Sequence, residues 1–327
     1  MKRLIALMLT AVMTLCLFAG CGTTTTESKA FKIVTTIYPV YNWLQNITDG
    51  AENVELTLLV EDGKDIHNYQ PTADDMVKIS DCNYFVYVGG ESDKWVNDSA
   101  AAFFKDNDGK YKVSLLDLLG DYAKDEELVE GMQEEEEEEE DDDGAYDEHV
   151  WLSVKNAELF CRELAAGLKT ADSANADVYE KNEKTYQEKL KALDDKYTDA
   201  LVKSDKKYDT LLFGDRFPFR YLVDDYKLKY YAAFAGCSAD SEASFETVAF
   251  LADKLTELEL PAVLTIDGSD GKLAETIIET SDNKTAQILQ LNSMQAVSKE
   301  MIDSGDDYIG MMEKNLDVLN TALAVGK

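Results

Sequence analysis

The chain predicts an α/β protein with two similar lobes, each built on a parallel sheet and joined by one long rigid helix. Three observations predict it. Short apolar runs rich in β-branched and aromatic residues alternate with helical patterns, first between Lys32 and Gly90 and again between Asp209 and Leu323. Between these blocks, Ala174 to Lys203 contains no Gly or Pro, and Tyr179, Tyr186, Leu190, Leu193, Tyr197 and Leu201 recur at helical spacing. That is one amphipathic helix about 45 Å long for roughly thirty residues. Finally, the 327-residue chain has only two histidines, His67 and His149, and each stands beside carboxylates in a loop ahead of a helical pattern. Neutral imidazole with nearby carboxylate suits zinc and the later first-row divalent metals. In open α/β sheets ligands bind at the carboxyl ends of strands, which places such a site between the lobes.

The elements follow in order. Lys2 and Arg3 precede the apolar run Leu4 to Leu17, which is shorter than the roughly twenty residues a membrane span needs. The run closes on Leu17-Phe18-Ala19-Gly20-Cys21, which resembles a bacterial lipobox. Residues 1–20 are therefore expected to be a lipoprotein signal peptide, Cys21 the lipidated residue, and residues 21–30 a flexible tether. No later stretch is long and apolar enough to cross a membrane. An N-terminal α/β lobe is expected over 31–172. Its strands are Lys32 to Ile37, Val54 to Val60 and Tyr84 to Gly90, with a helix from Thr72 capped by Thr72 and Asp75. The linker helix takes 173–204. The C-terminal lobe, 205–327, has strands at Asp209 to Phe213, Lys229 to Phe234, Ala262 to Ile266 and Gln287 to Leu291. Its helices are Phe245 to Leu258, Lys272 to Thr280 and Asp307 to Leu323.

A formal net charge of −33 excludes nucleic acid and anionic lipid headgroups as partners. Much of it sits in an acidic loop, 133–148, where Glu134 to Glu140 runs into Asp141 to Asp143. Such a run is a solvated loop that could also collect cations near His149. Of five cysteines, Cys82, Cys161 and Cys237 belong to the body, far apart and without Cys-x-x-Cys spacing. The expectation is three small buried hydrophobes, with one disulfide pair left open.

Two histidines do not complete a site, so the second lobe must supply more. Asp215 follows the run Thr210 to Phe213 and Gly214, at an expected strand end; the alternative is an ion pair with Arg216 or Arg220. Asp267 follows Ala262 to Ile266 in the same way, with a turn role as its alternative. Asn292 follows Gln287 to Leu291, and its amide oxygen is a weak neutral ligand. The fourth ligand is thus Asn292, Asp267 or water. Zinc is the expected ion and manganese the alternative.

Asp65-Ile66-His67-Asn68-Tyr69-Gln70-Pro71-Thr72 resembles the Asp-x-His-x-Tyr-x-Pro-Thr motif of the zinc- and manganese-binding solute receptors of ABC transporters. Asp147-Glu148-His149-Val150-Trp151-Leu152 resembles that family's Asp-Pro-His-x-Trp-Leu motif, and Lys155-Asn156-Ala157 continues it. Lys32 to Tyr38 resembles its opening strand, and Asp306 to Leu316 its closing helix. The resemblance implies an extracytoplasmic, lipid-anchored monomer that captures a divalent metal, His67, His149 and Asp215 being its ligands. It further implies delivery to a membrane permease with a cytoplasmic ATPase, and no enzymatic activity. The family's third ligand precedes a Phe and a Tyr-Leu pair; anchored on Phe213 this is Asp215, and anchored on Tyr221-Leu222 it is Arg216. Two readings from other classes are a metal-dependent hydrolase and an adhesin with structural metal. No His-Glu-x-x-His helix supports the former.

Overall fold

The computed structural model describes residues 29–61, 63–105, 109–133, 146–238 and 243–326. The expected signal peptide, Cys21 and most of the tether and acidic loop lie outside them.

From Phe31 onward the chain forms one compact unit. Its first sheet consists of β1 (Phe31–Thr35), β2 (Val54–Leu58), β3 (Tyr84–Tyr87) and β4 (Tyr111–Ser114) in the order β2-β1-β3-β4, all parallel. Crossovers are made by α1 (Tyr38–Thr48) and α2 (Ala73–Asp81). Thr72 caps α2 through a capping box with Asp75, as the sequence predicts. β2 ends two residues before the predicted Val60. Leu59 and Val60 still donate N–H bonds to the Thr35 and Thr36 carbonyls at 2.9 and 3.0 Å, so the chain remains extended there. The short helix α3 (Leu115–Leu119) follows β4, with Ser114 as its cap.

α4 (Val154–Ala171) leads into the linker helix α5 (Ala176–Thr198), which continues as a wider turn through Asp199–Lys203. The residues that predict α5 from their spacing are its buried face: Tyr179, Tyr186, Leu190, Leu193, Tyr197 and Leu201. Two of the three buried phenols find partners. Tyr179 donates to Asp172 at 2.6 Å and Tyr197 to the Met312 carbonyl at 2.7 Å.

The second sheet holds β5 (Thr210–Phe217), β6 (Lys229–Ala235), β7 (Ala262–Ile266) and β8 (Gln287–Leu291) in the order β6-β5-β7-β8, again all parallel. It is covered by α6 (Arg220–Tyr226), α7 (Phe245–Glu257) and α8 (Lys272–Thr280). The short α9 (Lys299–Asp303) and then α10 (Tyr308–Ala322) close the chain. The expected fold of two parallel α/β lobes with a helix between them is therefore the observed one. One continuous apolar cluster runs from the first lobe through α5 into the second. At its middle, Trp43 of α1 is fully buried against Tyr308 of α10, edge-on at 5.2 Å between ring centroids, and against Phe160 of α4 at 5.9 Å.

One strand departs from expectation in a way that matters for the site. β5 does not stop at Phe213. It runs on to Phe217 across a register shift between Phe213 and Arg216, a bulge in the pairing with β6. Gly214 sits in that bulge because a Cβ there would lie 2.8 Å from the Ala274 backbone. The glycine marks close packing of α8, not a strand end.

Candidate metal centre

His67 is the middle residue of a single helical turn, Ile66–Asn68, after β2. Asp65 starts that turn by accepting the His67 N–H at 3.0 Å, and its other oxygen takes the Arg216 guanidinium at 2.7 Å. His149 is set the same way: Asp147 Oδ1 accepts its backbone N–H at 2.8 Å and lies 3.0 Å from its Nδ1. In both motifs the aspartate two residues ahead shapes the backbone that presents the imidazole.

The outer ring nitrogens are committed to carboxylates. His67 Nδ1 is 3.0 Å from Glu148 Oε1 and 2.8 Å from Ser92 Oγ, while Asp147 holds His149 Nδ1. An ionised carboxylate only accepts, so each ring in its neutral form keeps its proton on Nδ1 and turns its Nε2 lone pair toward the other. Those two Nε2 atoms face each other at 3.2 Å. His149 is fully buried, and the His67 side chain is 11 % exposed. Burial opposes a charge on His149, but Asp147, Glu148 and Glu126 together outweigh it and raise its pKa. Burial likewise opposes charge on Glu148, but hydrogen bonding to His67, the nearby imidazoles and Ser92 bring its pKa down to about 2.

Space for Glu148 comes from Gly90 after β3, where a Cβ would lie 2.4 Å from the Glu148 side chain. Beneath it, Asp93 is buried and accepts the Val88 and Gly89 N–H groups at 2.7 and 3.3 Å. Burial, together with the Glu148 charge, pushes Asp93 up to about 7.

Among the described residues, the ligand atoms of His67, Glu148, His149 and Cys237 lie within 4.8 Å of one another. Asp215 is not in that group. It lines the same cleft as His67 and Cys237, but its carboxylate is used within its own lobe. Oδ1 accepts the Arg216 N–H at 2.9 Å, and Oδ2 accepts the Ile266 N–H at 3.3 Å, tying the β5 bulge to β7. The two candidates for a fourth ligand are also engaged, both in shaping one loop. Asp267 accepts the Ser293 N–H, and Asn292 Oδ1 accepts the Met294 N–H at 2.8 Å, with Met294 in the left-handed region at φ 56°. That turn delivers Gln295, whose amide nitrogen is 3.1 Å from His67 Nε2.

Cys237, Glu148 and Gln295 are therefore the residues that the sequence did not single out. A signal existed for Cys237: it follows Lys229 to Phe234 at a strand's carboxyl end, by the same rule that pointed to Asp215. Cys82 and Cys161 are buried and free, as expected, and Cys237 is free but only partly buried. Burial, then the charges of Glu148, Glu126 and Asp147, push its thiol pKa well up.

Residues 33–322 match the family described as zinc-uptake complex component A, periplasmic. The high-affinity zinc uptake system protein ZnuA of Bacillus subtilis is 31% identical over 319 residues, which cover 94% of each chain. The zinc-binding lipoprotein AdcA of Streptococcus pneumoniae is 31% identical over 322 residues, 98% of this chain but 60% of that protein. Among solved structures, the Zn(II)-bound ZnuA-like domain of the pneumococcal AdcA superposes with a TM-score of 0.69 at 27% identity, covering 90% of this chain and 99% of that one. The metal-dependent lipoprotein YcdH of Bacillus subtilis gives 0.70 at 28% identity, covering 90% and 99%.

Proposed function

The chain belongs to the family of periplasmic zinc-uptake components A, and on that premise we propose that it is an extracytoplasmic receptor that captures zinc between its lobes and hands it to an ABC importer. The observation that carries this reading is the pair of Nε2 atoms converging at 3.2 Å with both Nδ1 atoms held by carboxylates. In their neutral, Nδ1-protonated forms the two rings turn lone pairs toward each other in a buried cleft, and a cation between them satisfies both. His67 and His149 are the ligands of the first lobe. Asp215 acts on the second lobe's frame by holding the β5 bulge.

Cys21 anchors the receptor to the membrane by lipid, and the body works as a monomer facing a permease with its cytoplasmic ATPase. Zinc is cargo here and does no chemistry on a substrate, which distinguishes this reading from a hydrolase. The relatives' zinc-related names support zinc over manganese.

Calorimetric titration of the metal-free protein with zinc tests the reading. Wild type is expected to show one tight site per chain, lost in His67→Ala and in His149→Ala. Only weak, multiple sites that survive both substitutions would overturn it.

A further inference from the structure

We propose that Cys237 is the ligand that the second lobe contributes, so that the metal is held by two imidazoles and one sulfur and the site selects thiophilic borderline cations such as zinc against manganese. This rests on His67 and His149 being the metal-binding pair.

Four observations converge on the sulfur. Its Sγ lies within 4.8 Å of the ligand atoms of both histidines and Glu148. The backbone is built for that approach, because Gly236 packs on the His149 ring and a Cβ there would lie 2.8 Å from Cε1. The Cys237 N–H is fixed by Glu126 Oε1 at 3.0 Å, so the residue is held on the first lobe as well as carried by the second. The competing oxygen donors already serve other bonds: Glu148 with Ser92 and His67, Asp215 with the backbone of Arg216 and Ile266, Asn292 and Asp267 with the loop before Gln295.

Binding would replace the S–H bond with a metal–sulfur bond and release the thiol proton to solvent. Soft thiolate with imidazole suits zinc, whereas manganese prefers carboxylate, carbonyl and water oxygens. Gln295, beside His67 Nε2, offers only a neutral amide to any remaining position.

Cobalt(II) is the probe, because thiolate bound to cobalt gives an intense charge-transfer absorption that nitrogen and oxygen ligands do not. Wild type loaded with cobalt is expected to show this band. Zinc should bleach it, and excess manganese should leave it intact. Cys237→Ser should abolish the band and weaken zinc binding, while Asp215→Ala should keep the band. In unsubstituted protein, zinc should protect Cys237 from alkylation as read by peptide mass spectrometry, a measurement that does not depend on the variant folding. Cobalt bound through His67 without the band, or Cys237 alkylated equally with and without zinc, would overturn the sulfur ligand and leave the receptor reading standing. Absence of any His67-dependent cobalt or zinc binding would sink the receptor reading, and the sulfur ligand with it.

Discussion

Asp93 and Glu148 are two buried carboxyl groups in one neighbourhood, and their surroundings drive them apart. Glu148 has an imidazole and a hydroxyl to accept from and stays ionised, with a pKa brought down to about 2. Asp93 has two backbone N–H groups to accept from and Glu148 as a neighbour, and burial pushes it up to about 7. The folded state therefore holds a proton on Asp93 over a pH range where the unfolded chain releases it. The resulting stabilisation is complete below the ordinary aspartate range and is lost as pH rises through about 7. Asp93→Asn keeps an oxygen for the two N–H groups and removes the charge. In metal-free protein, stability read from urea midpoints is expected to fall from pH 5 to pH 8 by the equivalent of a few kcal/mol for wild type, and by less for the variant, which keeps only the contribution of His149. Parallel pH profiles would contradict this assignment.

Residues differ in how much of this is legible in a sequence. The histidine pair was legible because both rings sit two residues after an aspartate, a spacing that lets the carboxylate set the backbone of the turn. Cys237 was not, because a cysteine alone in sequence reads as a small buried hydrophobe, and its histidine partners are 170 and 88 positions away by numbering (237 − 67 and 237 − 149). Gln295 was not, because a neutral amide carries no signature of a charged site.

At the scale of elements, strand existence followed from apolar runs, but strand ends did not. Gly214 reads as a terminator, yet tertiary packing of α8 on β5 requires the glycine and carries the strand three residues further to Phe217. That continuation is why Asp215 serves the bulge. The loop after β8 shows the same override. Asn292 bonds the Met294 N–H and stabilises a left-handed, non-glycine residue whose side chain is buried. Asn292→Ala is expected to lower stability by about 1 kcal/mol, the usual worth of one internal hydrogen bond. It should also weaken zinc measurably by loosening Gln295 beside His67. Unchanged zinc affinity and unchanged melting would show that the turn holds without the asparagine.

For the whole molecule, the apolar cluster shared by both lobes and α5 implies that the lobes do not unfold separately. Hydrogen bonds reinforce it: Trp151 Nε1 donates to the Ser293 carbonyl at 2.8 Å, Tyr221 to the Asp147 carbonyl at 3.0 Å, and Gln133 N–H to the Ala233 carbonyl at 2.9 Å. Arg216 with Asp65 adds an ion pair between the lobes beside His67. Metal capture in such a body calls for small adjustments and loop ordering, not wide closure. Calorimetric melting of metal-free protein is expected to show one transition, moved up by several degrees when free zinc reaches about a hundred times its dissociation constant, a stabilisation of about 2.7 kcal/mol. Two transitions, of which zinc moves only one, would mean that the lobes fold independently.

The most direct measurement is a crystal structure of zinc-loaded protein with anomalous difference density collected at the zinc edge. A single strong peak is expected within bonding distance of His67 Nε2, His149 Nε2 and Cys237 Sγ. Zinc peaks confined to surface carboxylates, with the two imidazoles still facing each other and nothing between them, would contradict it.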